Sequence, residues 1–353
     1  GDFTALLGSE MPIAKRVTHR DVARLAGVST AVVSYVLNNG PRGTSLETRQ
    51  RVLRAIEHLD YHPSAVARGL RAQCTHTIGF VVNDYFPLDL FLSPYSASIL
   101  TGLTAALMAR GYYVLIYPVT MGEDLSGLEA MLRGGRLDGV VTRLIQDPPE
   151  TDPLLEVIAA SRVPGVLIER PGADRFGLST VSYDDEAGAK MATRYLIERG
   201  HRRIAHLAGD LRYASARARR AGYQQAIMEY GQPIDKALVQ GLSWAPSDAV
   251  AGMRRLLAAE EPPTAVFAAS DNLAFCAIEV LRQEGFRIPD DVAVVGFDDI
   301  PLAQDMTPPL TTVRIPLDEI GRKAADLVLR LTMGDVTPEI VTLPVELITR
   351  GTA

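Results

Sequence analysis

Three short stretches within residues 17–62 have their apolar positions at helical spacing. The first begins after Thr18, a residue type that caps helix N-termini, and Gly27 interrupts it. A second stretch covers residues 30–37, and a third begins after Ser45. Two helices joined by a three-residue turn with glycine are typical of a helix-turn-helix unit, whose second helix enters the major groove of DNA. A generic three-helix unit has the same periodicity and stays an alternative.

The pattern changes from residue 77 onward, where short apolar runs alternate with longer helical stretches. Continuous apolar strands between helices are typical of parallel sheets covered on both faces, and their number favours two doubly wound lobes over one. Because ligands of such sheets bind beyond the carboxyl ends of the strands, we expect a binding cleft between the lobes. The predicted strands are residues 78–82, 113–117, 138–142, 164–168, 203–207, 265–269 and 292–297, and the predicted helices include residues 99–110, 187–199, 272–284 and 317–331.

Charge is distributed unevenly along the chain. The 353 residues have a net charge of −6, but residues 11–75 hold ten basic and four acidic side chains, whereas residues 76–353 hold 26 basic and 36 acidic ones. A basic head on an acidic body indicates that only the head approaches a polyanion such as DNA.

Composition favours a globular protein of the cytoplasm. Apolar residues make up 47% of the chain, and no run of about 18 apolar residues predicts a membrane span. Residues 1–16 lack the apolar core of a secretory signal, and we interpret them as a disordered extension or tag remnant. Cys74 and Cys276 lie far apart in the sequence, so we expect reduced thiols rather than a disulfide or a metal site.

The sequence has none of the short motifs that would indicate an enzyme. A nucleophile elbow, a phosphate-binding loop, a zinc-protease helix and a C-x-x-C pair are all absent. His201 and His206 flank a predicted strand without cysteine or acidic partners at the spacing of metal ligands. We therefore expect no enzymatic activity, no metal and no cofactor.

The head carries a more specific signal. Its segments VTHRDVARLAGVSTAVVSYVLN (17–38) and ETRQRVLRAIEHLDYHPSAVARGLR (47–71) resemble the DNA-binding head of the LacI/GalR repressor family. The resemblance implies base contacts by Thr30, Ala31 and Tyr35, and phosphate contacts by Thr18, Ser29, Ser34 and Asn38. Tyr35 stands where the family often has arginine, so a bidentate contact with guanine is not implied.

Residues 63–71, PSAVARGLR, resemble the hinge helix of the same family. The resemblance implies that Leu70 wedges into the minor groove and kinks the site, with Ala67 on the same surface and Arg71 near phosphate. A plain interdomain linker is the alternative. The predicted domains are a head (17–62), a hinge helix and linker (63–76) and a two-lobed body for effector binding and dimerisation (77–353).

Three segments of the body resemble the sugar-responsive body of the LacI/GalR family: residues 181–209, 265–285 and 288–316. The implied fold is an N-terminal all-α helix-turn-helix head plus an α/β body of two doubly wound parallel-sheet lobes, periplasmic-binding-protein-like of type I. The implied function is that of a homodimeric transcriptional repressor whose affinity for a palindromic double-stranded DNA operator is changed by a small carbohydrate. A nucleobase- or nucleoside-responsive member of the family stays an alternative. A solute-binding receptor without DNA activity would need an export signal and would lack the basic head.

Six residues match positions where the family contacts its effector. An acid, an arginine that bridges hydroxyls and an aromatic ring that stacks on the sugar suit the recognition of a polyol. The positions are Tyr95, Glu169, Arg219, Trp244, Asp271 and Asp298. The chain departs from the family in the loop 83–96, which is longer, so Tyr95 is matched through an altered segment.

Overall fold

The computed structural model of the chain describes residues 17–37, 44–62, 74–83, 94–119, 124–144, 152–169, 174–335 and 337–353. The chain divides into two compact units, residues 1–74 and residues 75–353. The predicted hinge helix and most of the loop 83–96 lie outside the described residues. So do four of the predicted DNA contacts, Asn38, Ala67, Leu70 and Arg71.

Three helices form the described part of the first unit: α1 (His19–Ala26), α2 (Thr30–Leu37) and α3 (Leu46–His58). Thr18 precedes α1, and its backbone N–H donates to Asp21 Oδ2 at 2.9 Å, which satisfies a donor that the helix leaves free. The apolar faces of the three helices meet at Val22, Val33 and Val52, each fully buried. The predicted helix-turn-helix unit is confirmed.

A six-stranded parallel sheet forms the first lobe of the second unit. Its strands are β1 (Thr77–Asn83), β2 (Tyr113–Val119), β3 (Gly139–Leu144), β4 (Gly165–Ile168), β5 (Ser179–Tyr183) and β11 (Ile340–Leu343). Their order across the sheet is β11-β5-β4-β3-β1-β2. The helices of this lobe are α4 (Pro94–Met108), α5 (Ser126–Arg133), α6 (Pro153–Ser161) and α12 (Leu317–Thr332).

The second lobe repeats this design. Its strands are β6 (Ile204–Leu207), β7 (Val239–Gln240), β8 (Ala265–Ala268), β9 (Ala293–Asp298), β10 (Thr311–Arg314) and β12 (Glu346–Ile348). They are ordered β12-β10-β9-β8-β6-β7, and only β12 runs antiparallel to its neighbour β10. Its helices are α7 (Asp185–Glu198), α8 (Ala214–Glu229), α9 (Pro246–Leu257), α10 (Asp271–Gln283) and α11 (Leu302–Asp305). The predicted fold class is confirmed.

Five strands were not predicted from periodicity: β5, β7, β10, β11 and β12. The sequence of β5, STVSY, is polar, yet every one of its residues is buried. Two of its serine hydroxyls have partners: Ser182 Oγ lies 3.2 Å from Thr342 Oγ1 of β11, and Ser179 Oγ accepts from the backbone N–H of Glu339 at 3.1 Å. Strands β7 and β12 are too short to give a pattern, with two and three residues.

The chain passes between the lobes three times, after β5, after β10 and after β11. The second passage leads into α12, which packs closely against α4 of the first lobe. Gly321 permits this approach, because a Cβ atom there would lie 2.1 Å from the carbonyl oxygen of Ile99. Among the described helices, none has both the length and the apolarity that crossing a bilayer requires.

Candidate functional site

Polar side chains from both lobes meet near the carboxyl ends of the strands. We call this set the interlobe network; it consists of Tyr95, Ser96, Arg143, Glu169 and Tyr183 from the first lobe and Asp185, Arg219 and Asp298 from the second. Glu169 directly follows β4 and Asp298 ends β9, and their φ angles are positive, 77° and 119°. Such backbone conformations are costly for residues other than glycine, and they concentrate at functional sites.

Arg143 and Glu169 form the charged pair of the first lobe. Arg143 Nε donates to both carboxylate oxygens of Glu169 at 3.0 Å, and its Nη1 donates to Ser96 Oγ at 3.0 Å. The guanidinium carbon lies 5.0 Å from the ring centre of Tyr95. Burial acts to lower the pKa of Arg143, but the Glu169 carboxylate outweighs it and the pKa rises. Arg143 therefore stays charged, and its hydrogen bonds to Glu169 and Ser96 fix its orientation.

Arg219 is the centre of the second lobe's part of the network. Its Nε donates to Asp185 Oδ1 at 2.6 Å, and its Nη1 donates to Asp298 Oδ1 at 3.2 Å and to the carbonyl oxygen of Ala269. The guanidinium lies over the ring of Phe297, 3.9 Å from its centre. A buried charge is tolerated only when it is paired and hydrogen-bonded, and Arg219 meets both conditions.

Hydrogen bonds between hydroxyl and guanidinium groups connect the two lobes. Arg219 Nη2 donates to the Tyr183 hydroxyl at 3.3 Å, and that hydroxyl lies 2.7 Å from the hydroxyl of Tyr95. Burial raises the pKa of Tyr95 and of Tyr183 well above the ordinary value, so both remain neutral phenols. Neutral phenols can donate as well as accept, as recognition of a hydroxyl-rich ligand requires.

The acids of the second lobe hold their protons unusually tightly. Burial raises the pKa of Asp298 to about 7, against the opposing charge of Arg219. Burial also raises the pKa of Asp185, again opposed by Arg219. Asp298 therefore gains or loses its proton near neutral pH, and the net charge of the network changes with it.

Four of the six predicted effector residues come together in the network: Tyr95, Glu169, Arg219 and Asp298. Their contact with an effector stays a prediction. The other two, Trp244 and Asp271, are not among its members and have different surroundings.

Trp244 follows β7 at the same edge of the second lobe. Its ring lies on Gly209, where a Cβ atom would be 2.5 Å from the ring, and Tyr213 meets it edge-on with the ring centres 5.6 Å apart. The buried Nε1 atom of Trp244 has no hydrogen-bond partner among the described residues. These contacts fix the position of the ring, and its stacking on a sugar stays a prediction.

Asp271 is fully buried within the second lobe. Its Oδ2 accepts from the backbone N–H of Ile300 at 2.9 Å, and its Oδ1 accepts from the Thr312 hydroxyl at 2.5 Å. These contacts hold the segment after β9, so the geometry gives Asp271 a structural role.

Sequence reasoning missed Arg143, Tyr183, Ser96 and Asp185. Asp184 caps α7, since its Oδ1 accepts from the backbone N–H of Ala187 at 2.8 Å. The side chain of the next residue, Asp185, pairs with Arg219 instead. A usable signal was the charged Arg143 near the end of the apolar strand GVVTRL.

The head presents the predicted base-reading residues to solvent. Thr30, Ala31 and Tyr35 are exposed on α2, while Val33 and Val36 of the same helix are buried. Two of the predicted phosphate ligands take part in helix caps: the Thr18 hydroxyl donates to Asp21 Oδ2 at 2.6 Å, and Ser29 Oγ accepts from the Val32 N–H at 3.4 Å. Ser29 is exposed and Ser34 is half-buried.

The two units correspond to two known domain types. Residues 18–64 match the profile described as bacterial regulatory proteins, lacI family. Residues 193–353 match the profile of a periplasmic binding protein-like domain. A DNA-binding head joined to a body of this type defines a ligand-responsive class of transcriptional regulator.

Curated relatives span nearly the whole chain. The HTH-type transcriptional regulator CelR of Thermobifida fusca is 37% identical over 327 residues, which is 92% of this chain and 95% of CelR. The HTH-type transcriptional repressor PurR of Haemophilus influenzae (strain PittEE) is 33% identical over 338 residues, 92% of this chain and 97% of PurR. The chain belongs to the LacI family of bacterial regulatory proteins and is a transcriptional regulator.

Solved structures agree with this assignment. The complex of the transcriptional regulator CelR with cellobiose superimposes with a TM-score of 0.73 at 36% identity, covering 96% of this chain and 100% of CelR. The lac repressor dimer bound to operator and the anti-inducer ONPF gives a TM-score of 0.82 at 28% identity, covering 96% of this chain and 99% of that one.

Proposed function

We propose that this regulator is a repressor that binds a palindromic DNA operator as a homodimer and changes its operator affinity when a small carbohydrate occupies the cleft between the lobes. The observation that carries the proposal is the interlobe network, in which carboxylates, guanidinium groups and phenols converge from both lobes. Polyols are recognised by planar charged groups that bond their hydroxyls. The similarity to CelR, whose structure contains cellobiose, supports a sugar as the effector.

The head reads the operator through α2. Thr30, Ala31 and Tyr35 face the base edges, and Ala31 suits contact with a thymine methyl group. Thr18, Ser29, Ser34 and Asn38 bind phosphates. In the hinge, Leu70 wedges into the minor groove with Ala67 on the same surface, and Arg71 lies near phosphate. The lac repressor dimer bound to its operator, a structure similar over 96% of this chain, supports this assignment.

The effector acts by preferring one arrangement of the lobes. A ligand that bound every arrangement equally would shift nothing, however tightly it bound. The bond between Tyr183 and Arg219 joins the lobes at the network, so a ligand that replaces or reinforces it changes their relative stability. Operator affinity then changes by the same coupling free energy as effector affinity.

A nucleobase or nucleoside is the second candidate effector. The PurR relatives are almost as similar to the chain as CelR is, at 33% against 37% identity. Tyr95 and Trp244 would also suit a planar base. In either case the protein acts in the cytoplasm on DNA and has no enzymatic role.

Ligand-dependent thermal stability distinguishes these candidates. The full-length protein is melted with cellobiose, glucose, hypoxanthine and guanine, because a ligand far above its dissociation constant raises the melting temperature. Duplexes selected from a random pool by the protein then serve as operator in an anisotropy titration with and without the stabilising compound. Stabilisation and altered operator affinity with a sugar are expected. A response to purines alone would assign the second candidate, and no retention of any duplex would contradict DNA binding.

A further inference from the structure

The interlobe network contains one more acid than base. Two guanidinium groups, Arg143 and Arg219, face three carboxyl groups, Glu169, Asp185 and Asp298. These five side chains are between 4% and 15% exposed. Charges so far removed from water are weakly screened, so the excess of acid is felt by any charged group that enters.

Both arginines already donate hydrogen bonds within the network. Arg143 directs Nε at Glu169 and Nη1 at Ser96, and Arg219 uses all three of its side-chain nitrogens within the network. Guanidinium binds phosphate through two parallel N–H bonds, so a phosphate on either arginine would compete for at least one of these nitrogens. At the Nε edge of Arg143 and at Arg219, the phosphate would also disturb a pair between a buried acid and a buried base.

We propose that the interlobe network selects an uncharged sugar and rejects phosphorylated sugars, and that Glu169 sets this preference. This inference rests on the proposed carbohydrate response. Sugar hydroxyls can donate to the carboxylate oxygens without displacing the arginines, since each oxygen accepts more than one hydrogen bond. A phosphate monoester instead brings a charge of about −1.5 to −2 at pH 7 into a site where acids already outnumber bases.

Glu169 has this role because it is the carboxylate that contacts Arg143 among the described residues. Glu169→Gln removes the charge and keeps the shape of the side chain, so Arg143 faces an amide instead of an anion. The network then has equal numbers of acids and bases, and Arg143 becomes available to a phosphate. The variant is therefore expected to bind uncharged sugars more weakly and phosphorylated sugars more tightly than wild type.

The experiment compares full-length wild type and Glu169→Gln by calorimetric titration with cellobiose, glucose, glucose 6-phosphate and inorganic phosphate. Glu198→Gln is the matched control, because Glu198 is an exposed partner of Arg194 on the surface of α7, at 3.4 Å. Circular dichroism and melting temperature establish that each variant is folded before titration.

Wild type is expected to bind a neutral sugar and neither phosphate compound, whereas Glu169→Gln loses sugar affinity and gains at least about tenfold in affinity for glucose 6-phosphate or phosphate. Glu198→Gln should match wild type. Wild-type binding of glucose 6-phosphate as tight as that of glucose, or no gain in folded Glu169→Gln, overturns charge selection. No sugar binding in this titration, together with stabilisation by purines in the melting experiment above, would overturn the carbohydrate function instead, while the phosphate comparison still decides what Glu169 does.

Discussion

The Nη2 atom of Arg219 donates to the Tyr183 hydroxyl at 3.3 Å, and this hydrogen bond joins the end of a first-lobe strand to a second-lobe helix. The same hydroxyl is 2.7 Å from that of Tyr95. One phenol thus links the guanidinium group of one lobe to the aromatic side chain of the other. Any ligand between the lobes has to replace these bonds or add to them.

Removing this link should weaken the coupling between effector and operator. In Tyr183→Phe the ring stays and the hydroxyl is lost, so we expect the free energy of unfolding to fall by about 1 kcal/mol per lost hydrogen bond. We also expect the sugar to change operator affinity less in this variant than in wild type. Anisotropy titrations of operator with and without effector measure that effect.

Tyr195→Phe is the control, since the Tyr195 hydroxyl donates to the Ala353 carbonyl at 2.9 Å, outside the network. It should lose stability without losing coupling. Equal coupling in wild type and Tyr183→Phe would contradict a role for the link in signalling.

The free energy of unfolding should depend on Asp298 in a defined pH range. Burial raises its pKa to about 7, while an unfolded aspartate has a pKa of about 3.9, so the folded protein binds the extra proton between these values. Stability therefore falls as the pH rises from about 4 to about 7 and then levels off. Asp298→Asn should show a shallower fall and a higher melting temperature at pH 8 than wild type.

Asp291→Asn is expected to change the melting temperature in the opposite direction. The hydrogen bond from Arg287 lowers the pKa of Asp291 to about 2, so its ionised form stabilises the fold at neutral pH. That variant should melt at a lower temperature than wild type at pH 7. Parallel pH profiles for wild type and Asp298→Asn would show that the network does not bind the proton.

The position of Trp244 should depend on Gly209. In Gly209→Ala the new Cβ would lie 2.5 Å from the indole ring, and φ is +71°, so both the ring and the backbone must shift. We expect a loss of about 1–3 kcal/mol in stability and weaker sugar binding. Because Trp244 is the chain's one tryptophan, its fluorescence reports the displacement directly.

Gly111→Ala separates the two effects. Its φ is +77° but nothing lies within 4 Å of its Cβ position, so it has the backbone cost without the ring contact. Fluorescence and sugar affinity should then stay as in wild type. A Gly209→Ala protein with the fluorescence and sugar affinity of wild type would contradict the assignment of Trp244 to the binding surface.

Substituting Tyr35 should affect DNA recognition rather than folding. The side chain is 44% exposed on α2, so Tyr35→Ala is expected to leave the melting temperature within about two degrees of wild type. Binding to the selected operator is expected to weaken by about 1–3 kcal/mol. Leu53→Ala on α3, 47% exposed, is the matched control. Competition between selected and random duplexes measures the loss, and an unchanged preference in Tyr35→Ala would remove Tyr35 from the base-reading set.

The sequence by itself determined the elements that depend on local patterns. Thr18 and Gly27 mark the ends of α1, the apolar run at 78–82 lies within β1, and the run at 292–297 overlaps β9 in all but its first residue, because capping and periodicity act over a few residues. The mostly polar strand β5 was not predicted, since the partner of its Ser182 hydroxyl lies 160 residues away in β11.

Tertiary structure alone decided which side chains of the interlobe network pair with each other. Arg143 meets Glu169 across 26 residues, Asp185 meets Arg219 across 34, and Arg219 meets Asp298 across 79. No local pattern relates such residues; parallel strands bring them together by ending at the same edge. Burial then shifts their pKa values, so the charge of the site depends on the folded arrangement and cannot be read from the residue types.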